Sequence, residues 1–217
     1  MFPGAGAAAL GLAVSGCAAP SPRPARRLRL MLQAPSGPYP IGTAALHLVD
    51  HSRRDPWLAV ARPREVMASV WYPALDDGRY PWAPWMPPAA GKLFLTQLIP
   101  SPLTGPSAVT SAPPVPLDSV RLPVTQARQG APADLSVQRH PVVLYSPGYG
   151  DDRELGTGLV SDLASRGYIV VTTDYTYEAA EVEFPGGRVE AGRQTDLSKA
   201  VKVRVADTRF CLTNSPC

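Results

Sequence analysis

The residues best placed for chemistry are Pro147-Gly148-Tyr149-Gly150. They follow PVVLYS (141–146), a short run of β-formers bounded by prolines, which is the pattern of a buried strand in a parallel sheet. Open α/β sheets bind their ligands at the carboxyl ends of such strands. Glycines at 148 and 150 let backbone N–H groups turn toward an incoming oxygen, as a site that stabilises an oxyanion requires. An ordinary strand-to-helix turn uses the same glycines, so the spacing alone leaves both readings open.

The other ingredients of nucleophilic catalysis are missing. A serine raised on a strained strand-to-helix turn needs G-x-S-x-G. Ser107 has Gly105 before it but Val109 after it, and Ser146 has Gly148 after it but Leu144 before it. His47 sits on an alternating segment and His140 abuts Pro141, positions that suit packing or surface residues better than bases. His51 is the third histidine, and it too precedes any plausible nucleophile. Asp174 closes a strand where a catalytic acid could stand, without partners in the sequence. There is no H-E-x-x-H, no C-x-x-C and no G-x-x-x-x-G-K-[ST], so no metal site is expected. Asp151-Asp152-Arg153 replaces the third glycine of a dinucleotide loop, and two carboxylates there would repel a pyrophosphate.

The elements that must hold the loop can be read around it. LGTGLVSDLASRG (155–167) spaces Leu155, Leu159 and Leu163 four apart, turns Asp162 away from them, and puts Gly167 at a helix C-terminus. YIVVTTD (168–174) is a second buried strand. Strand, loop, helix, strand is one right-handed crossover, which predicts 142–145 and 169–174 parallel in one sheet. Upstream, TAALHLVD (43–50) and VMASVWYP (66–73) predict a hairpin, and VRLPV (120–124) a short extended piece. Downstream, EVEFPGGRVE (181–190) predicts a small hairpin. Ser198 is placed to cap a helix over 199–212 whose apolar face is Val201, Val205, Thr208 and Leu212. Between Pro81 and Pro116 lie ten prolines, with room for one helix at 91–99. That stretch predicts a cap-like excursion over the core, carrying Trp82, Trp85 and Phe94.

The whole chain has 217 residues, 45% hydrophobic and 18% charged, a globular composition. Its net charge of +3 comes from Arg23, Arg26, Arg27 and Arg29; without them the sum is slightly negative. A basic excess confined to a short tail does not suit a nucleic-acid binder. Residues 5–14 are uncharged and apolar, too short to span a bilayer but suited to a secretory leader. Val14-Ser15-Gly16-Cys17 follows directly and resembles a bacterial lipobox, although no Lys or Arg precedes the apolar run. The expected organisation is a leader over 1–17 with Cys17 lipidated, a proline-rich tether over 18–40, and one domain over 41–217. The protein is then exported, as a membrane-anchored lipoprotein or in secreted form.

Three segments in order carry a family resemblance. SVWYP (69–73), PVVLYSPGYG (141–150) and SDLASRGYIVVTTDYTYEA (161–179) resemble α/β-hydrolases of the platelet-activating-factor acetylhydrolase and lipase-like esterase group. VRVADTRF (203–210) resembles the helix preceding that group's nucleophile strand, so the resemblance covers about 37–210. Secreted cutinase-like polyesterases share the P-G-Y turn. The resemblance implies an α/β-hydrolase fold that stops short of the nucleophile strand. It makes the Tyr149 N–H the oxyanion donor, with Gly148 and Gly150 shaping the loop. Trp82 and Trp85 would offer the substrate apolar contacts. Nucleophile, acid and base would all lie after the last helix, outside these residues. It implies no cofactor and an ester or lipid substrate, such as short acyl esters of phospholipids. A different class stays open: a non-catalytic surface lipoprotein that binds apolar ligands through the Trp82, Trp85 and Phe94 excursion.

Overall fold

The computed structural model describes residues 28–76, 78–98, 119–136, 139–193 and 195–214. The leader, Cys17, the tether up to residue 27 and residues 99–118 of the proline-rich stretch lie outside the described residues. The strands are β1 (Leu28–Arg29), β2 (Ile41–Arg54), β3 (Pro63–Pro73), β4 (Trp82–Pro84), β5 (Val120–Arg121), β6 (Val124–Gln129), β7 (Val142–Tyr145), β8 (Ile169–Asp174), β9 (Glu181–Phe184) and β10 (Arg188–Ala191). The helices are α1 (Pro88–Leu98), α2 (Thr157–Ser165) and α3 (Leu197–Asn214).

Six strands form the main sheet in the order β4-β6-β2-β3-β8-β7. β2 and β3 make the expected hairpin, paired from Ile41↔Pro73 to Asp50↔Arg64. Both strands outrun the predicted segments, because Asp50 accepts from Ser52 and Arg53 and carries the pairing through a bulge to Arg54↔Pro63. β7 and β8 are parallel, Val142↔Ile169 to Tyr145↔Thr172, with α2 crossing between them. β9 and β10 form the second hairpin, with Gly186 and Gly187 at positive φ in its turn. VRLPV splits at Pro123: Val120–Arg121 pairs with β1, and Val124 opens β6 in the main sheet. The start of the excursion is not a cap, since β4 joins the sheet edge beside β6.

α2 covers one face of the sheet. Its contact side is Val160 and Ala164, which join Ile41, Trp71, Ala127 and Val170 in the core. This corrects the leucine face at two of its three positions, since only Leu163 packs against the core. Leu155 lies in a 3-10 turn (Arg153–Gly156), out of phase with the α-helix, and both it and Leu159 are exposed. Small and β-branched residues at the contact let the helix approach the sheet closely. Asp162 does not face open solvent alone; it accepts from Ser36 and pairs with Arg166. Gly167, at φ +98°, ends the helix as expected, its N–H on the Ala164 carbonyl.

α3 covers the opposite face, and here the periodicity misleads. Val201, Val205 and Leu212 are exposed, while Ala200, Val203, Asp207 and Cys211 are buried. The buried side is polar at its centre. Arg64, 1% exposed, pairs with Asp207 at 2.8 Å and Asp55 at 3.0 Å, and Arg53 adds a second cation on Asp207. Asp196, not Ser198, caps the helix, accepting from the Lys199 N–H at 2.7 Å. No described helix is long and apolar enough to cross a membrane.

Candidate active site

The loop 146–152 leaves the carboxyl end of β7 between β8 and α3. Gly150 has φ +84°, a conformation that favours glycine. A Cβ on Gly148 would come within 2.4 Å of the Asp151 carboxylate. The loop is held from α3 by Arg204. Its Nη1 donates to the Pro147 carbonyl at 2.7 Å, and its Nη2 to the Gly148 carbonyl at 3.0 Å. Arg204 is itself fixed by an ion pair with buried Glu178 and by stacking over the Tyr175 ring at 4.5 Å.

Peptide planarity turns this contact into an orientation. The C=O and N–H of one peptide point in opposite directions. The Gly148 carbonyl faces Arg204, so the Tyr149 N–H of the same peptide faces away from α3. Among the described residues that N–H has no hydrogen-bond partner. The Tyr149 side chain is tied back separately: its hydroxyl lies 2.6 Å from Thr195 Oγ1 and accepts from the Thr195 N–H at 3.2 Å.

The far end of the loop is anchored by buried charge. Asp174 accepts from the Arg153 N–H at 2.7 Å and pairs with its guanidinium, so this strand-end acid is a structural anchor. Arg153 also pairs with Glu154 at 2.9 Å and donates to Ser69. Asp152 accepts from the Glu181 N–H, and burial pushes its carboxyl up to about 6. Burial, with Asp152 beside it, pushes Glu181 up to about 7.

Other candidate residues are spoken for. Ser146 Oγ lies 3.1 Å from the Tyr175 hydroxyl, which reaches Thr208. No described histidine hydrogen-bonds a serine: His47 pairs with Glu65 at 2.8 Å, and His140 bonds the Gly167 carbonyl. Among the described residues no group of His, Cys, Asp and Glu is arranged to hold a metal ion. Trp85 lines a cavity and donates to the Glu154 carbonyl at 2.7 Å. Trp82 lies outside that cavity, half exposed beneath the Arg128 guanidinium. Sequence reading did not single out Arg204, Glu178 or Thr195. The signal that could have found Arg204 is an arginine placed among apolar residues of the helix that follows the crossover.

A model of the family "platelet-activating factor acetylhydrolase, isoform II" matches residues 28–203. A probable 1-alkyl-2-acetylglycerophosphocholine esterase of Arthroderma benhamiae is 29% identical over 196 residues, covering 85% of this chain and 49% of its own. The structure of a ferulic acid esterase from Streptomyces cinnamoneus superposes with a TM-score of 0.65 at 38% identity, covering 86% of this chain and 49% of that one. The chain thus spans about half the length of these relatives. A mixed sheet with a parallel crossover, helices on both faces and a glycine loop at the strand end is the frame of an α/β-hydrolase. On the family match and that frame together, the chain belongs to the platelet-activating factor acetylhydrolase isoform II family of esterases.

Proposed function

We propose that these residues form the oxyanion side of a serine carboxylic-ester hydrolase whose nucleophile, acid and base lie outside this sequence. The observation that supports the reading is the Tyr149 N–H, turned away from Arg204 at the end of a parallel strand and without a partner among the described residues. In the reaction, a serine oxygen attacks the ester carbonyl, whose oxygen gains the charge. The Tyr149 N–H and the N–H after the serine donate to that oxygen. One such donor is worth about 2.7–4 kcal/mol in the transition state.

The substrate class is short acyl esters. The fungal relative's name points to the acetyl ester of an alkyl glycerophosphocholine, and the bacterial neighbour's to an aromatic acyl ester. Export with lipidation at Cys17 would bring the site to a membrane. Cys17→Ala is expected to move an expressed protein from the membrane fraction to the soluble one.

The test is p-nitrophenol release from p-nitrophenyl acetate. The 217-residue chain is expected to match an unrelated control protein. Sequencing the coding DNA beyond codon 217 is expected to find G-x-S-x-G, in frame or frameshifted. In a protein that carries that serine, Tyr149→Pro removes the N–H and is expected to lower kcat by about 10²–10³. Serine-inhibitor-sensitive turnover by the 217 residues alone would overturn the reading, with Ser146 the first residue to examine.

A further inference from the structure

β5 pairs in parallel with β1 and leads through Leu122-Pro123 into β6. An open cavity of about 520 Å³ lies between the two segments, lined by residues 29–32, 121–124 and 126. Leu122 seats it on the fold: its side chain rests against Gly91 of α1, where a Cβ would come within 2.4 Å. None of residues 146–152 lines it. β7, from which that loop leaves, is the fourth strand from β6, about 19 Å across the sheet.

Two features of this surface are unusual. The first is apolar exposure. Met31 is 81% exposed and Val124 58%. On β6 the side chains of Thr125 and Ala127 are buried, so alternation turns Val124 outward, where a polar residue is the ordinary choice. The second is charge. Register sets Arg29 beside Arg121 on one face of the β1–β5 ladder, and both are exposed. Like charges opposite each other in a ladder repel. Neither arginine has an ion pair or side-chain hydrogen bond among the described residues, whereas Arg128 on β6 is held by Asp76 at 3.1 Å. No Asp or Glu lines the cavity. Arg23, Arg26 and Arg27 precede this surface in the sequence. Two adjacent guanidiniums without an acid match phosphate oxygens. Exposed methionine and valine beside them match acyl chains. A second copy of the same surface would bring four guanidiniums together, and a nucleic acid would leave Met31 and Val124 unmatched. An anionic bilayer satisfies both features at once.

We propose that this surface docks onto a bilayer containing anionic phospholipid, with Arg29 and Arg121 at the headgroup phosphates and Met31 and Val124 in the acyl boundary. The docking depends neither on ester hydrolysis nor on lipidation at Cys17. A lipid on Cys17 would reinforce it, since Leu28 is eleven residues from Cys17, at most about 40 Å of chain. Vesicle binding by protein without that lipid therefore tests the surface by itself, and its failure is distinct from a failure of lipidation or of turnover.

The experiment is flotation of the 217-residue chain, purified without lipid on Cys17, with vesicles of phosphatidylcholine alone or with about 30% phosphatidylserine. Residues 1–27 are common to every variant, so their own contribution cancels in the comparisons. Phosphatidylserine is expected to tighten binding about tenfold, and raising salt from about 50 mM to about 300 mM should remove most of that gain. Arg29→Gln with Arg121→Gln is expected to weaken binding to the anionic vesicles about tenfold. Met31→Ser with Val124→Ser should weaken binding to both kinds of vesicle by about the same factor. Arg54→Gln with Arg139→Gln removes the same charge at exposed positions elsewhere and should change binding less than about twofold. Thermal melts check that each variant is folded, and if the Arg29 and Arg121 pair does not fold, Arg121→Gln alone decides. Wild-type protein that does not float with the phosphatidylserine vesicles overturns the proposal. So does a loss in the Arg29 and Arg121 variant no larger than in the Arg54 and Arg139 variant. Displacement by inorganic phosphate at constant ionic strength also overturns it, because the surface would then be a free-phosphate site.

Discussion

Asp152 and Glu181 keep protons that solvated carboxyls would release. Both have folded pKa values above the ordinary carboxyl range, about 6 and about 7, with burial the leading cause. Between pH 4 and 7 the folded state therefore binds more protons than the unfolded chain, and stability from this pair falls as pH rises. It is fully present below about pH 4 and is lost as pH climbs through the folded values. Thermal melts should show a Tm that declines from pH 5 to pH 7, and Glu181→Gln should flatten the decline. A steeper decline in that variant would mean other groups set the slope. Arg204 gives the second test at this scale. Glu178 is 1% exposed, so Arg204→Met leaves a buried carboxylate unpaired, the Pro147 carbonyl without a donor and the Gly148 carbonyl with only the Asp151 N–H. The expected loss is about 3–5 kcal/mol in urea denaturation. Amide exchange at Asp151, whose N–H donates to the Gly148 carbonyl, should also quicken, which simple global destabilisation would spread evenly. Lys restores the charge but not the two-pronged contact, so Arg204→Lys should recover only part.

At the scale of elements, α3 separates what sequence can show from what it cannot. Apolar periodicity marks Val201, Val205 and Leu212 as the inner face, yet those residues are exposed. The true inner face is organised by Asp207, whose partners Arg53 and Arg64 are more than 140 residues away in sequence. Nothing local announces a buried ion network, because a charged residue inside a helix reads as a solvent-facing one. The strands were legible for the opposite reason. β7 and β8 are short β-branched runs bounded by Pro and Gly, and their parallel pairing follows from crossover handedness. The glycine loop was legible as a motif, but its orientation was not, since that depends on a side chain from α3. The contrast makes a direct prediction. Asp207→Ala should cost about 3–5 kcal/mol, because it leaves buried Arg64 with one carboxylate, Asp55, and the Thr176 carbonyl. Val201→Ser should stay within about 0.5 kcal/mol. The reverse ranking in paired denaturation curves would restore the periodic face.

At the scale of the whole molecule, one edge of the main sheet is left apolar. β7 pairs with β8 on one side only, and among the described residues its other edge has no strand beside it. Val143 and Tyr145 pack against the core, while Val142 and Leu144 are 47% and 42% exposed. Register sets Leu144 beside Val171, next along the strand from Thr173, whose hydroxyl meets Cys211 of α3. Val142 and Leu144 therefore share the sheet face that α3 covers, and α3 exposes Val205 and Leu212. A bare, apolar strand edge is a template for pairing with another chain. Its residues have the buried-strand composition of a central strand, without the lysines or prolines that protect natural edges. The 217-residue chain should accordingly self-associate at micromolar concentration, seen as mass that grows with loading in light scattering coupled to size exclusion. Leu144→Lys places a charge on the exposed face of the edge strand and should shift the population toward monomer. Val60→Lys adds the same charge at an exposed position in the turn between β2 and β3, and should do so much less. A wild-type chain that runs as a monomer at all loadings and melts sharply would show that the edge is protected by residues outside those described.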